Sequence, residues 1–87
     1  MSYEIILNEL ILNLTNPLKS QKELELILKA RLTKKEFKLL KLLASNFKEE
    51  DIKKKLNFNQ EEFNRVSNNL IKKLNQEKVK QDLYKRA

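Results

Sequence analysis

The chain has 87 residues, the size of one small domain near the lower limit for burying a core of its own. It contains no Cys, no His and no Gly, which excludes disulfides, thiolate metal sites, a histidine general base and glycine-rich phosphate loops. We therefore expect no enzymatic activity and no cofactor or metal.

The net charge of +7 is unevenly distributed along the chain. Residues 1–30 carry three basic and four acidic side chains, whereas residues 31–87 carry 16 basic and 8 acidic ones. A basic excess confined to one part of a chain favours a polyanionic partner. The alternative is an ordinary solvated Lys-rich surface, because acidic residues are mixed among the basic ones.

Apolar residues at helical spacing predict a first helix over residues 2–14. Thr15-Asn16-Pro17 ends it, because a proline lacks a backbone donor and disfavours helix at the residue before it. Residues 2–30 are too apolar to leave exposed, so we expect them to form a homodimer interface as well as a core. The interface residues are Tyr3, Ile6, Leu7, Leu10, Ile11 and Leu14.

Two capping boxes predict the next two helices. Ser20 and Glu23 match S-x-x-E and open a second helix to about residue 30, and Thr33 and Glu36 match T-x-x-E and open a third. The residues of the third helix that we expect to face inward are Phe37, Leu40, Leu43 and Ala44. Leu39 and Leu42 are expected to lie beside them.

A fourth helix is predicted from about Glu49 to Leu56, after Asn46 ends the third in the left-handed conformation. Acidic residues occupy the first turn of this helix and lysines its last turn, an order that the helix dipole favours. Because the dipole explains the lysine run, the run is not independent evidence for DNA binding. The next three residues form a turn, in which Phe58 is an apolar plug and Asn59 caps the following helix.

The fifth helix, over residues 59–74, has an apolar and a polar face. Phe63, Val66, Leu70 and Leu74 are predicted to face inward. Asn and Arg side chains suit bidentate contacts with base edges, although an ordinary polar face is the alternative. The outward residues are Glu61, Asn64, Arg65, Asn68 and Lys72.

Residues 77–86 are predicted to form a further short helix or a curved extension that ends in the basic pair Lys85-Arg86. This segment packs on a partner subunit, contacts phosphate or frays. Together the elements predict one all-α domain, a small bundle of five to six short helices containing a helix-turn-helix. Residues 1–30 form a helical pair for the core and dimerisation, 31–75 the helix-turn-helix segment, and 76–87 a C-terminal helix or basic tail.

Two motifs carry a family resemblance. The segment L-T-K-K-E at residues 32–36, followed by Leu43-Ala44, occupies the places of L-T-x-R-E and a Leu-Ala pair. Residues 62–74 align with T-V-x-x-H-x-x-N-I-x-x-K-L, in which Asn69, Lys73 and Leu74 are identical. Residues 32–74 thus resemble the helix-turn-helix of LuxR/GerE-type transcription regulators. Four residues depart from that pattern: Asn46 stands for Gly, Lys53 for Ala, Glu62 for Thr and Val66 for His.

Residues 64–70, N-R-V-S-N-N-L, are also similar to T-R-G-S-N-x-L in the recognition helix of Trp-repressor-like proteins. Region 4 of sigma factors is similar in pattern as well. All three resemblances imply a helix-turn-helix bound to duplex DNA. In the LuxR/GerE family the contacting residues would correspond to Asn64, Arg65 and Asn68.

We therefore predict a small, homodimeric, DNA-binding transcription regulator whose fifth helix is the recognition helix. Asn64, Arg65 and Asn68 would contact base edges. Further DNA-binding residues on the turn and the fifth helix, mostly for phosphates, are Asn59, Gln60, Ser67, Lys72 and Lys73. The start of the third helix would add backbone contacts through Thr33, Lys34 and Lys35.

Two alternatives use the same fold. One is a protein-interaction module that binds a larger regulatory or replication protein, which Glu61 and Glu62 favour because acids repel phosphate. The other is an intertwined structural dimer with no ligand. Apolar runs are too short to cross a bilayer and the N-terminus lacks a leader pattern, so we expect a cytoplasmic protein with no membrane partner.

Overall fold

The computed structural model describes residues 2–85, which form six α-helices. They are α1 (Tyr3–Leu10), α2 (Gln21–Arg31), α3 (Lys34–Ala44), α4 (Glu49–Leu56), α5 (Gln60–Leu74) and α6 (Glu77–Leu83). No β-strand occurs between residues 2 and 85, where the sole extended pairing is an isolated bridge from Leu18 to Tyr84. The prediction of an all-α bundle of five to six short helices is confirmed.

The helix α3 lies at the centre, where it packs against α1, α2, α4 and α5. Leu39 and Leu40 are fully enclosed and Ala44 is buried. The predicted inward face was wrong in detail, because Leu39 is buried whereas Phe37 and Leu43 are partly exposed. Neighbours on several sides, rather than one apolar stripe, determine which arc of this helix is covered.

The predicted capping boxes differ in their geometry. At α3 both halves form: the Thr33 hydroxyl accepts from the Glu36 N–H (3.2 Å), and the Thr33 N–H donates to the Glu36 carboxylate (2.9 Å). At α2 the Ser20 hydroxyl accepts from the Glu23 N–H (3.3 Å) but also donates to the Glu23 carboxylate (2.9 Å). That carboxylate therefore binds the cap side chain instead of the cap backbone.

The first helix is shorter than predicted and ends at Leu10, not at residue 14. Asn13 takes the left-handed conformation (φ 58°). The side chain of Asn75, distant in sequence, donates to the Leu10 carbonyl (3.0 Å) and accepts from the Leu12 N–H (2.8 Å). These long-range hydrogen bonds satisfy backbone groups at the end of α1, so the chain can turn there.

The face assigned to a homodimer interface lies inside the single chain. Tyr3, Ile6, Leu7 and Ile11 are buried, and Leu10 and Leu14 are partly buried. The apolar side chains that remain exposed in this part are Ile5, Leu12 and Leu26. The homodimer stays a prediction, but its surface cannot be the buried α1 face of the folded chain.

Hydrogen bonds of Tyr3 join α1 to α2. The Tyr3 hydroxyl donates to the Glu25 carboxylate at 3.0 Å, and the Tyr3 N–H donates to the Gln21 side chain at 3.0 Å. Burial, together with the hydrogen bond to Glu25 and its negative charge, raises the pKa of the Tyr3 phenol. The N-terminal helical pair is thus a core element of one chain.

The C-terminal helix α6 packs against α2 and α5 of its own chain, with Val79 and Leu83 buried. The Arg31 guanidinium pairs with the Asp82 carboxylate. The Lys19 N–H donates to the Leu83 carbonyl at 3.0 Å. Residues 77–85 are therefore packed as part of the bundle, while Arg86 lies outside the described residues.

Glu36 is the one charged residue that is buried between residues 2 and 85. Its carboxylate accepts from the Lys73 ammonium of α5 at 2.8 Å as well as from the Thr33 N–H. A buried carboxylate is tolerated only when it is paired and hydrogen-bonded, so this ion pair links α3 to α5.

Glu36→Gln should make the unfolding free energy fall less steeply as the pH is lowered. Burial raises the pKa of the Glu36 carboxyl, but the hydrogen bonds from Lys73 and Thr33 and the Lys73 charge outweigh burial and hold that pKa below its ordinary value. Because the folded-state pKa lies below the unfolded one, the stabilisation is complete above about pH 5 and is lost as the pH falls through the folded-state pKa. Denaturant titrations should find the variant less stable at neutral pH, with a smaller fall in unfolding free energy toward about pH 3. Parallel curves for the two proteins would contradict this assignment.

Candidate nucleic-acid interface

The helices α4 and α5 are joined by the predicted three-residue turn. Asn57 is left-handed (φ 57°) and ends α4. Phe58 is buried, and its N–H donates to the Lys53 carbonyl at 2.8 Å. The Asn59 side chain accepts from the Glu62 N–H at 2.7 Å and so begins α5. The roles predicted for Phe58 and Asn59 are confirmed.

The helix α5 presents the predicted polar face to solvent. Phe63, Val66, Leu70 and Leu74 are buried, as expected from their spacing. The opposite face carries exposed side chains over three turns, and the Arg65 side chain is 62% exposed. These outward residues, which we name the α5 face, are Asn64, Arg65, Asn68 and Lys72.

A polar contact connects α4 to the head of α5. The Lys53 ammonium donates to the Gln60 side-chain carbonyl at 2.6 Å and pairs with Glu49 and Glu50 at 3.7 and 3.1 Å. The Gln60 amide donates in turn to the Asn64 side chain at 2.9 Å. The helix α4 packs chiefly on α3, and this polar bridge joins it to the head of α5.

A second polar cluster joins the heads of α3 and α5. The Glu62 carboxylate accepts from the Lys35 ammonium at 2.7 Å and from the Arg65 guanidinium at 3.2 Å. The hydrogen bond from Lys35, then the charges of Lys35 and Arg65, lower the pKa of Glu62 despite some desolvation. Lys35 also lies 5.9 Å from the centre of the Phe58 ring. The start of α3 therefore lies beside the α5 face.

The other predicted DNA-binding residues have mixed positions. Lys73 is half-buried, and its ammonium is paired with the Glu36 carboxylate at 2.8 Å, so a phosphate would have to compete with Glu36 for it. Ser67 is partly buried, and the Thr33 hydroxyl serves the α3 capping box. Lys34 is exposed at the start of α3.

The DNA-binding residues predicted from the sequence did not include the outward face of α3 beyond its first turn. The helix α5 carries three basic and two acidic residues, whereas α3 carries four lysines and a single acid, Glu36, which is buried. Lys38 and Lys41 are exposed and continue the line begun by Lys34. The signal was present as lysines spaced four and three residues apart. Positive charge is therefore denser on α3 than on α5.

The described part of the chain offers polar and basic surfaces but no evident metal chemistry. Between residues 2 and 85, no group of three or more acidic side chains is placed to hold a metal ion. No helix in the same range has the length and apolar character needed to cross a membrane.

Comparison with known proteins yields no relative: no family model, no curated protein and no solved structure matches this chain. Function must therefore be argued from the arrangement of the side chains themselves.

Asn59→Ala should destabilise the protein by about 1 kcal/mol, because the N-cap acceptor for the Glu62 N–H is lost. Asn59→Asp keeps an acceptor at that position and should retain most of the stability. Asn68→Ala is a matched control on the exposed side of the same helix, for which a change within about 0.5 kcal/mol is expected. Urea denaturation followed by circular dichroism measures all three. Equal losses at Asn59 and Asn68 would contradict the capping role.

Proposed function

We propose that the protein is a duplex-DNA-binding transcription regulator whose helix α5 enters the major groove. The observation that carries the proposal is the α5 face, where Asn64, Arg65, Asn68 and Lys72 are all exposed on the helix that follows the turn. An α-helix fits the major groove of B-DNA, where base pairs present distinct patterns of donors and acceptors. A helix that displays amides and a guanidinium can distinguish those patterns.

Each side chain of the α5 face has a contact suited to its chemistry. The Arg65 guanidinium can donate two parallel hydrogen bonds to a guanine edge. The amides of Asn64 and Asn68 can pair with an adenine edge, where a donor and an acceptor are required together. Lys72, a turn further along, suits a phosphate, which fixes position without reading sequence.

The head of α3 supports the same orientation. Lys35 is linked through Glu62 to Arg65, so α3 begins next to the α5 face. Lys34 and Lys35 are exposed there and can contact the backbone that flanks the groove. DNA would compete with Glu62 for both side chains, a phosphate for Lys35 and a guanine edge for Arg65, so Glu62 acts as their counterion in the free protein.

The proposal includes a homodimer, in which two copies of α5 would lie about one turn of DNA apart, roughly 34 Å. Its surface would use exposed apolar residues such as Ile5, Leu12 or Leu26, since the predicted α1 face is buried. A selected DNA site with two inverted half-sites at that spacing would support the dimer.

A second candidate function is a protein-interaction module that uses the same α5 face. Acidic residues at the heads of both helices favour it: Glu49, Glu50 and Asp51 begin α4, and Glu61 and Glu62 begin α5. Glu61 has no ion-pair partner between residues 2 and 85, so its charge would oppose phosphate.

Arg65→Ala separates the two functions. DNA sequences are first selected from a random duplex pool, and affinity is then measured by fluorescence anisotropy at several salt concentrations. We expect the variant to lose about 1–3 kcal/mol of affinity for the selected site and to discriminate less at the contacted base pair. Affinity of the unaltered protein should fall steeply as salt rises, because bound phosphates release counterions.

The matched control is Lys22→Ala, which removes an exposed positive charge from α2, a helix that packs on α1, α3 and α6. It should change the affinity by well under 1 kcal/mol. Failure to bind any duplex at about 50 mM salt, or equal losses in the two variants, would overturn the DNA proposal.

A further inference from the structure

A depression with basic walls and an apolar floor lies between the end of α2 and the outward side of α3. We name it the α3 groove, and its volume is about 490 Å³. Pockets that take ligand groups are commonly of this size. Its lining residues are Lys29, Leu32, Lys34, Phe37, Lys38 and Lys41.

The walls of the α3 groove carry uncompensated charge. None of its four lysines forms an ion pair with any carboxylate between residues 2 and 85. Of the acids nearest in sequence, Glu36 is buried and paired with Lys73, and Glu25, four residues before Lys29, accepts from the Tyr3 hydroxyl. A concave surface lined by one sign of charge focuses the electrostatic potential and attracts the opposite charge.

The floor of the groove is apolar. Leu32 is buried, and Phe37 is partly exposed beneath the Lys41 ammonium, which lies 5.5 Å from the ring centre. A second depression of about 460 Å³ shares Lys38 and Lys41 and continues to Leu42 and to residues 55–56 of α4. Apolar and basic surface thus continues across α3 from α2 to α4.

We propose that the α3 groove binds an acidic amphipathic helix of a partner protein. Acidic side chains on such a helix would meet the lysines, and its apolar side chains would cover Leu32 and Phe37, as in helix-in-groove recognition. Nucleic acid fits the groove less well, because a phosphate backbone gains nothing from an apolar floor.

The groove lies away from the α5 face. The helix α3 contacts α5 through its buried side, which includes Glu36, whereas Lys34, Lys38 and Lys41 are on the exposed side. A partner in the α3 groove would leave the α5 face open to DNA; the two proposed surfaces share Lys34, at the head of α3. The inference therefore does not depend on the proposed function and can be tested separately.

The test is a selection from displayed random peptides about 16 residues long, enough for four helical turns. The full chain is the target, and Lys38→Glu/Lys41→Glu is used for counter-selection. We expect enriched peptides to combine Asp and Glu with apolar residues spaced three and four apart. No enrichment, or enriched peptides without acidic residues, would overturn the proposal.

A synthesised member of the enriched set is then titrated by fluorescence anisotropy. Lys38→Glu/Lys41→Glu should weaken its binding about tenfold or more, because two attractive charges become repulsive. Lys22→Glu/Lys78→Glu makes the same charge change at exposed positions of α2 and α6 and should leave affinity within about twofold. Equal weakening by both variants would overturn the proposal.

Two further measurements keep the result clear. If circular dichroism shows that charge reversal disturbs the fold, the neutral variant Lys38→Gln/Lys41→Gln should still weaken peptide binding. The groove would instead belong to nucleic acid if Lys38→Glu/Lys41→Glu abolished binding of the selected DNA duplex but left peptide binding unchanged. That outcome would also overturn the proposal that the α3 groove binds a helix. Loss of DNA binding in Arg65→Ala concerns the proposed function and does not bear on the groove.

Discussion

The ion pair between the buried Glu36 carboxylate and the half-buried Lys73 joins α5 to α3 and, together with apolar burial, sets which face of α5 points inward. Rotation of α5 about its axis would leave the Glu36 carboxylate buried without its counterion, which is costly, and would expose Phe63, Val66 and Leu70. Apolar burial thus favours a single helix face, and the ion pair adds a specific contact to it. The outward direction of Asn64, Arg65 and their neighbours follows from this constraint.

The same packing leaves two different surfaces exposed, one on α5 and one on α3. One side of α3 packs on α1, α4 and α5, and its exposed side carries Lys34, Lys38 and Lys41, which form no ion pair between residues 2 and 85. The α5 face carries two amides and two basic side chains, which suits recognition by hydrogen bonds. The α3 side is basic with an apolar floor, which suits an acidic amphipathic partner. The two proposed surfaces together would connect a DNA site to another protein.

Features that depend on neighbouring residues were predictable from the sequence. The left-handed Asn46, the capping box of Thr33 and Glu36, and the cap at Asn59 all use atoms a few residues apart. The bounds of α4 and the buried stripe of α5 follow from apolar spacing and short polar breaks. The polar face of the candidate site was predictable for the same reason, since it is the complement of that stripe.

Features that depend on distant residues were not predictable. The end of α1 is held by Asn75, more than sixty residues away, and Lys73 points inward because Glu36 lies opposite it on α3. The apolar face of α1 predicted a dimer, but α2, α3 and α5 of the same chain cover it. The groove on α3 requires knowing which side of that helix its neighbours leave open. Periodicity shows that a face is apolar or basic, but not what covers it.

The most direct test of the account is to map a selected DNA duplex onto the protein by NMR, following the backbone amides of the isotope-labelled chain during titration. We expect the largest shift changes at residues 64–72 and at the start of α3, with α1 and α6 little affected. Changes confined to Lys38 and Lys41 and the adjacent α2 end would instead place DNA in the α3 groove. That result would contradict the assignment of α5 as the recognition helix.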